Sequence, residues 1–276
     1  MPELPEVETI AAQLRPRLVG RAIVACHLRA PVMVRHPRPE DFARRLAGHR
    51  IEAVGRRGKY LLHRLSGGDG ELLVVHLGMT GGWTCVAAEA PEPTHLHLVL
   101  ELDDGCQLRY RDPRRFGRLL LGTEAELVAA GALPRLGPEP LDPSFTPAEL
   151  HRSLRGRRAP LKTLLLDQRL VAGLGNIYVD EACFRARLRP DRPGGRVSRA
   201  AATRLHAAIR EVLREAIANG GSSVDDYRDA RGEPGRHQER LLVYGRGGHP
   251  CARCGRRLAA IRLAGRSTVF CPTCQR

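Results

Sequence analysis

Leu161-Lys162-Thr163-Leu164-Leu165-Leu166-Asp167-Gln168, then Ala172-Gly173-Leu174-Gly175, then Asn176-Ile177-Tyr178-Val179-Asp180-Glu181-Ala182-Cys183-Phe184-Arg185-Ala186 is the stretch that divides this chain. It reads as two helices across a tight glycine turn, a helix-turn-helix-like unit. The residues C-terminal to it are also helical in pattern. A longer helix runs from Ser198, a good N-cap, to Asn219, where Gly220-Gly221 closes it. Its apolar stripe is Leu205, Ile209, Val212, Leu213 and Ile217. The N-terminal half is different. Residues 2–19 read as a helix, and residues 20–121 are short β patterns broken by turns. In the clearest of these, His95 to Leu102 puts Leu at alternate positions. Asp103-Asp104-Gly105 then gives a hairpin signal, with Cys106 to Tyr110 as the return strand. Gly67-Gly68-Asp69-Gly70 marks another turn before Leu72–Leu77. Residues 131–147 are rich in Pro and Gly and read as a linker, and 221–240 as a mobile polar loop. The fold class expected is α+β, with an N-terminal β-sandwich and flanking helices followed by a helical domain.

The chain ends in Cys251-x2-Cys254, sixteen residues, and Cys271-x2-Cys274. Two such knuckles set four thiolates around a tetrahedral ion, so one structural Zn2+ in a β-hairpin finger is expected. Four protein ligands leave no open position for catalysis. Cys26, Cys85, Cys106 and Cys183 have no partner spacing and read as buried small hydrophobes. The hairpin carries Arg256, Arg257, Arg262 and Arg266, a density that suits contact with backbone phosphates.

Composition points the same way. The 276 residues suggest two domains, and a net charge of +15 points to a polyanion, most simply nucleic acid. No apolar run approaches the ~18 residues needed to cross a membrane, and residues 1–20 lack the apolar region of a secretory signal. A cytoplasmic protein of bacterial type is expected, with its cysteines reduced or metal-bound. Of 45 basic residues only Lys59 and Lys162 are lysines. Arg stays protonated whereas Lys can exchange its proton, so a Lys kept against this background is a candidate for amine chemistry.

The start of the chain supplies a nucleophile. Removal of Met1 would leave Pro2 as a secondary amine, able to attack an aldehyde-like carbon and form an iminium. An α-amine titrates near ~8, against ~10.4 for Lys. Glu3 stands beside it as a possible proton donor or acceptor. Val7, Ile10, Ala11, Leu14 and Leu18 fall at helical spacing, with Pro5 in the first turn. A helix there would pin the terminus, and its positive end would lower the amine pKa further.

With these pieces in order, the chain resembles the formamidopyrimidine-DNA glycosylase family over nearly its whole length. The motifs that carry the likeness are Pro2-Glu3-Leu4-Pro5-Glu6-Val7-Glu8, Arg57-Gly58-Lys59-Tyr60-Leu61-Leu62, His76-Leu77-Gly78-Met79-Thr80-Gly81 and Asp112-Pro113-Arg114-Arg115-Phe116-Gly117. Leu136-Gly137-Pro138-Glu139-Pro140-Leu141, Ala172 to Tyr178 and Cys271-Pro272-Thr273-Cys274-Gln275 complete the set. The resemblance implies a monomeric, bifunctional glycosylase and AP lyase acting on oxidised purines in damaged double-stranded DNA. Pro2 would attack C1′, Glu3 would protonate the sugar ring oxygen, and Lys59 would assist β-elimination. Arg266 would take part in δ-elimination, for which a guanidinium is better suited to holding phosphate than to giving a proton. Met79, Arg114 and Phe116 would fill the gap left by an extruded nucleotide. His76, His95, Arg158, Lys162 and Asn176 would contact DNA. The domains implied are 1–133 catalytic sandwich, 134–147 linker, 148–240 helix-two-turn-helix domain with a loop over the lesion, and 241–276 zinc finger.

Two positions depart from the family pattern. An aromatic common near the end of that loop is absent from Gly235-Arg236-His237-Gln238, and a common Lys is replaced by Asp225 or Asp226. Two rival readings stay open. A sister group, the endonuclease VIII-like enzymes, shares the chemistry but prefers oxidised pyrimidines. A non-catalytic zinc-containing DNA binder also fits the composition, although Pro2, Glu3 and Lys59 would then be without purpose. His95 and His97 are read as lying on one polar strand face.

Overall fold

The computed structural model describes residues 1–67 and 70–276. The Gly68-Asp69 part of the expected turn lies outside them. Two compact units result: residues 1–135 with 219–236, and residues 136–218 with 237–276.

In the first unit, α1 (Leu4–Leu18) opens the chain with Pro5 in its first turn. Next come β1 (Ile23–Leu28), β2 (Val34–His36), α2 (Pro39–Leu46), β3 (Ile51–Arg57), β4 (Tyr60–Leu65) and β5 (Leu72–His76). They are followed by β6 (Gly82–Ala87), β7 (Leu96–Leu102), β8 (Cys106–Arg111), β9 (Arg118–Gly122) and α3 (Glu124–Ala129). The strands form a four-stranded sheet ordered β1-β7-β8-β6 and a five-stranded sheet ordered β2-β9-β5-β4-β3. Both sheets contribute to one core. Leu98, Leu100, Leu108 and Tyr110 come from the first, and Leu61, Leu73, Val75, Leu119 and Leu121 from the second. The helical stripe read from the sequence joins them, with Val7, Ile10, Leu14 and Leu18 all fully buried. Each such side chain contributes about 1.5–3 kcal/mol. The expected sandwich with flanking helices is thus present.

One polar group sits at the centre of this core. His63 is fully buried, accepts a hydrogen bond from Trp83 Nε1 at its Nε2 (3.1 Å) and uses Nδ1 to donate to the Leu73 carbonyl (3.3 Å). Burial pushes its pKa down to about 4, so the ring is neutral and both nitrogens are satisfied.

Residues 221–240 were expected to be a mobile loop within the helical domain, but the chain from 219 to 236 packs in the first unit. The Ser222 N–H donates to Glu6 Oε1 (2.7 Å). The Gln13 amide spans Asp229 Oδ2 (2.6 Å) and the Ala230 N–H (3.0 Å). Tyr227 is buried, its hydroxyl on the carbonyls of Gly220 (3.2 Å) and Glu6 (3.4 Å). A segment that looks polar in sequence is ordered because α1 offers it partners.

The second unit holds α4 (Pro147–Leu154), α5 (Leu161–Leu166), α6 (Asn176–Arg185), α7 (Arg199–Ala218) and the hairpin β10 (Ala259–Leu263)–β11 (Arg266–Phe270). Ser198 caps α7 through a 3.3 Å bond from the Ala201 N–H. The helix α5 ends at Leu166, two residues short of the Gln168 expected. The Gln168 side chain instead organises the turn: its Oε1 accepts the Gly173 N–H (2.8 Å), and its Nε2 donates to the carbonyls of Leu166 (2.9 Å) and Leu174 (2.8 Å). The Pro-rich stretch read as a linker packs into this unit from Leu136 onward, with Phe145 buried and Arg210 holding the carbonyls of Pro140 and Asp142.

The buried His63 makes stability depend on pH. Its folded pKa lies below the unfolded value of ~6.5, so its contribution is complete above ~6.5 and is lost as pH falls toward about 4. Unfolding free energies from urea titrations across that window should show a slope shallower in His63→Leu than in the wild type, by up to about 1.4 kcal/mol per pH unit. Equal slopes would mean that His63 does not titrate this way.

Candidate functional site

The N-terminus is built as the sequence suggests. Pro2 and Glu3 are buried, and Glu3 is the N-cap of α1. Glu6, three residues on, accepts the Glu3 N–H at Oε2 (2.8 Å) while its Oε1 holds Ser222. Its role was not read from the sequence, although the Glu at N3 of a capped helix is a capping-box signal. The helix also reaches the β3–β4 hairpin: Glu8 pairs with Arg56 (2.9 Å), whose guanidinium donates to the Gly58 carbonyl (3.1 Å).

That hairpin turns through Gly58-Lys59, with Arg57 opposite Tyr60 and Gly58 at φ +56. Gly in the first central position lets a two-residue turn follow the strand twist. The turn leaves Lys59 buried beside the end of β5, where His76 lies across from Tyr60. Burial first, then the charges of Lys59 and Arg118, push His76 down to about 4. Its Nδ1 accepts the Gly78 N–H (3.1 Å), so the neutral ring carries its proton on Nε2 as a free donor.

Met79, Arg114 and Phe116 sit on two loops pressed backbone to backbone. Gly78 has φ +64, and a Cβ there would lie 2.6 Å from the Gly117 nitrogen; one on Gly117 would lie 1.7 Å from the Tyr110 hydroxyl. With no room inward, Met79 and Phe116 stay 36% and 52% exposed, more than any core residue. Arg114 stacks over Phe116 at 4.7 Å. Asp112 ties the loops together from a fully buried position. It accepts the Thr80 hydroxyl (2.5 Å) and the N–H groups of Gly117 (2.8 Å) and Arg114 (3.2 Å). The His95–His97 strand face is not found. His95 precedes β7 with φ +61 and is exposed, whereas His97 is buried and bonded to the Asp112 carbonyl (2.8 Å).

A cavity of about 260 Å³ in the same unit is lined by Thr80, Gly81, Arg111, Asp226 and Arg228, among others. The Arg111 Nε is buried without a protein partner. Asp226 therefore brings a carboxylate to a wall that also carries guanidinium donors.

In the second unit, Asn176 is the first residue of α6. Gly175, its N-cap, offers no side chain to the first turn. The Asn176 Nδ2 reaches the Ser267 hydroxyl at 3.5 Å, and its Oδ1 has no protein partner. Arg158 is exposed. Arg266 begins β11 after a two-residue turn, Ala264-Gly265, with φ +47 and +76, and is exposed. Lys162 corrects an expectation. Its side chain is fully buried, with Nζ 2.7 Å from both Asp180 Oδ1 and the Ser267 carbonyl, so it has no surface to offer DNA. Asp180 also accepts the Val269 N–H (3.1 Å), and burial pushes its carboxyl up to about 6 against the pull of Lys162. The pair locks the Arg266 hairpin to α5 and α6.

The four finger cysteines bring their sulfurs within 4.8 Å of one another. Zn–S bonds of ~2.3 Å at tetrahedral angles fit such a cluster. N–H groups of Arg253 and Cys274 point at Cys251 and Cys271 sulfurs (3.4 and 3.3 Å), which favours thiolates. Cys85 and Cys183 are buried as read; Cys26 and Cys106 are half-buried.

Comparison with known proteins agrees with this geometry. The Formamidopyrimidine-DNA glycosylase N-terminal domain matches residues 1–119, the Formamidopyrimidine-DNA glycosylase H2TH domain matches 136–228, and the Zinc finger found in FPG and IleRS matches 248–276. Fold, site and matches define a DNA glycosylase of base excision repair that carries one structural zinc. Formamidopyrimidine-DNA glycosylase of Chloroflexus aurantiacus is 49% identical over 100% of this chain and 98% of its own, and that of Moorella thermoacetica is 50% identical over 95% of each. The Fpg (MutM) structure from Thermus thermophilus superposes with a TM-score of 0.88 at 46% identity, covering 99% of this chain and 98% of that one. A Lactococcus lactis Fpg mutant bound to Fapy-dG DNA gives 0.91 at 38% identity, with full coverage of both chains. The chain belongs to the formamidopyrimidine-DNA glycosylase family, for which AP lyase activity is typical. No helix among the described residues is long and apolar enough to cross a membrane.

Breaking the buried pair should be costly. Lys162→Met leaves Asp180 uncompensated and should lower stability by about 3–5 kcal/mol in urea unfolding; a loss under about 1 kcal/mol would deny the pair its clamping role. Chelation, or Cys254→Ser, should weaken duplex binding about tenfold, because the Arg-rich finger owes its shape to the metal. Unchanged affinity in a binding titration would show that the finger is dispensable.

Proposed function

We propose that the chain excises oxidised purines, 8-oxoguanine and formamidopyrimidines, through a covalent intermediate on Pro2. The observation that carries this reading is the buried Pro2-Glu3 terminus, set at the head of α1 by Glu6. Removal of Met1 frees the amine. The Pro2 nitrogen then bonds to C1′ as the base leaves, and Glu3 gives its proton to the ring oxygen as the sugar opens. The resulting iminium acidifies C2′. Loss of a C2′ proton expels the 3′ phosphate and leaves an unsaturated iminium, from which loss of the C4′ proton expels the 5′ phosphate. Lys59, held beside the neutral His76, carries protons in these steps. Arg266 and the His76 Nε2–H hold phosphate.

Extrusion of the damaged nucleotide leaves a gap in the duplex. Met79 and Phe116, kept exposed by their glycine neighbours, wedge into it, and Arg114 hydrogen-bonds the orphaned base. The base enters the cavity beside Arg111 and Asp226, whose mixed donors and acceptors suit a damaged base edge. His95, Arg158 and Asn176 hold the backbone, Asn176 from an uncapped helix start. The Lactococcus relative bound to Fapy-dG DNA supports the lesion class. The bacterial relatives support a cytoplasmic location, where chromosomal DNA is repaired.

Borohydride trapping on a duplex with 8-oxoguanine opposite cytosine should give an adduct whose mass maps to Pro2. Glu3→Gln should slow base excision by about 10²–10⁴-fold yet spare cleavage at a preformed abasic site, whose sugar already opens without help. Trapping only on an oxidised pyrimidine would favour the sister-group reading. An adduct on Lys59 instead of Pro2 would overturn the assignment.

A further inference from the structure

A second basic cavity lies in the helical unit, lined by Arg187, Arg204, Arg253, Thr273, Cys274 and Arg276, with a volume of about 460 Å³. None of its four arginines is in an ion pair among the described residues, whereas the neighbouring Arg185 and Arg189 are bound to Glu211, Glu215 and Asp191. Arg204 reaches only the Ala200 carbonyl of its own helix (3.4 Å). Arg253 stacks on Phe184 at 4.7 Å and touches that residue's carbonyl at 3.4 Å. The main-chain oxygen of Arg276 is taken by the Arg189 N–H (3.4 Å).

Arg187 is placed there at a conformational cost. It comes just after the end of α6 with φ +61, the left-handed position where a helix stop favours Gly. Its N–H and that of Leu188 close the helix on the carbonyls of Phe184 (3.1 Å) and Cys183 (2.9 Å). An arginine stands where glycine would fit better, and its side chain lines the cavity.

The wall shared with Cys274 offsets part of this charge, since Zn2+ with four thiolates is a dianion. Four exposed guanidiniums exceed it, and the surplus favours an anionic ligand. Guanidinium forks and the Thr273 hydroxyl match phosphate oxygens. The surplus and the volume suit adjacent phosphates of a chain better than one isolated ion. The site is also separate from Asn176: α6 has 10 residues, so its two ends lie about 15 Å apart.

We propose that this cavity is a second, sequence-independent site for a phosphodiester backbone, and that it takes a DNA segment other than the one held for chemistry. A protein carrying both sites can engage a new duplex before it releases the old one.

The test uses the full-length, zinc-loaded protein, with the lesion site saturated by a short duplex bearing an abasic analogue. Undamaged labelled duplex is then titrated at low salt. We expect a second, weaker binding event with a log–log salt slope near about −2, as for about two phosphates. Arg187→Glu with Arg204→Glu should weaken that event by about tenfold or more, leaving the first event and the zinc content unchanged. Arg187→Gly, which relieves the left-handed backbone, should also weaken it without loss of thermal stability. The proposal fails if no second event is seen, or if it persists in both variants. It fails equally if inorganic pyrophosphate binds and undamaged duplex does not, which would mark a small-anion site.

Discussion

The carboxylate of Glu6 is the point on which the first unit turns. It is 1% exposed, and a carboxyl group so deep is tolerable only if its oxygens are satisfied. One oxygen takes the Glu3 N–H and the other the Ser222 N–H. A single side chain thus fixes the start of the chain and a segment more than two hundred residues later. Gly221 permits this, because a Cβ there would lie 2.8 Å from Glu6 Oε1. The proposed N-terminal nucleophile requires a terminus that does not fray, and this contact holds it.

The same device recurs. Asp112 gathers the two loops that display Met79, Arg114 and Phe116. Glu181 accepts the N–H groups of Leu242, Val243 and Tyr244 at 2.8–3.0 Å, and Asp180 holds Lys162 and β11. Acids are drawn inside to organise backbone, and the arginines stay largely outside. The net charge of +15 is therefore a surface property, available to a polyanion. The two lysines divide along the same line. Lys162 is spent on structure, while Lys59 is buried in a hairpin turn beside a neutral histidine.

Zinc and the Lys162–Asp180 pair act on the same small hairpin. The finger's core is little more than Val243, Leu258, Val269, two cysteines and Phe184 of α6. So small a cluster cannot by itself hold Arg266 in place. Metal and a buried ion pair supply what hydrophobic burial lacks.

Several features were legible without coordinates because they depend on local spacing. The α1 stripe, the Leu96–Arg111 hairpin, the glycine turn before α6 and the paired knuckles each rest on residues close in sequence. The zinc ligands stood out for the same reason, and Pro2, Glu3 and Lys59 stood out as candidates by residue type and position. The packing of 219–236 on α1, the Asp112 corner and the burial of His97 were not legible. Each joins residues far apart in the chain, and a polar side chain reads as exposed until its donor is known. Lys162 shows the limit most plainly: sequence marks it as one of two lysines, but only the tertiary fold shows Asp180 and the Ser267 carbonyl closing around it. Local pattern determined the elements and the candidate reactive groups; long-range hydrogen bonding to buried polar groups decided which side chains are left at the surface.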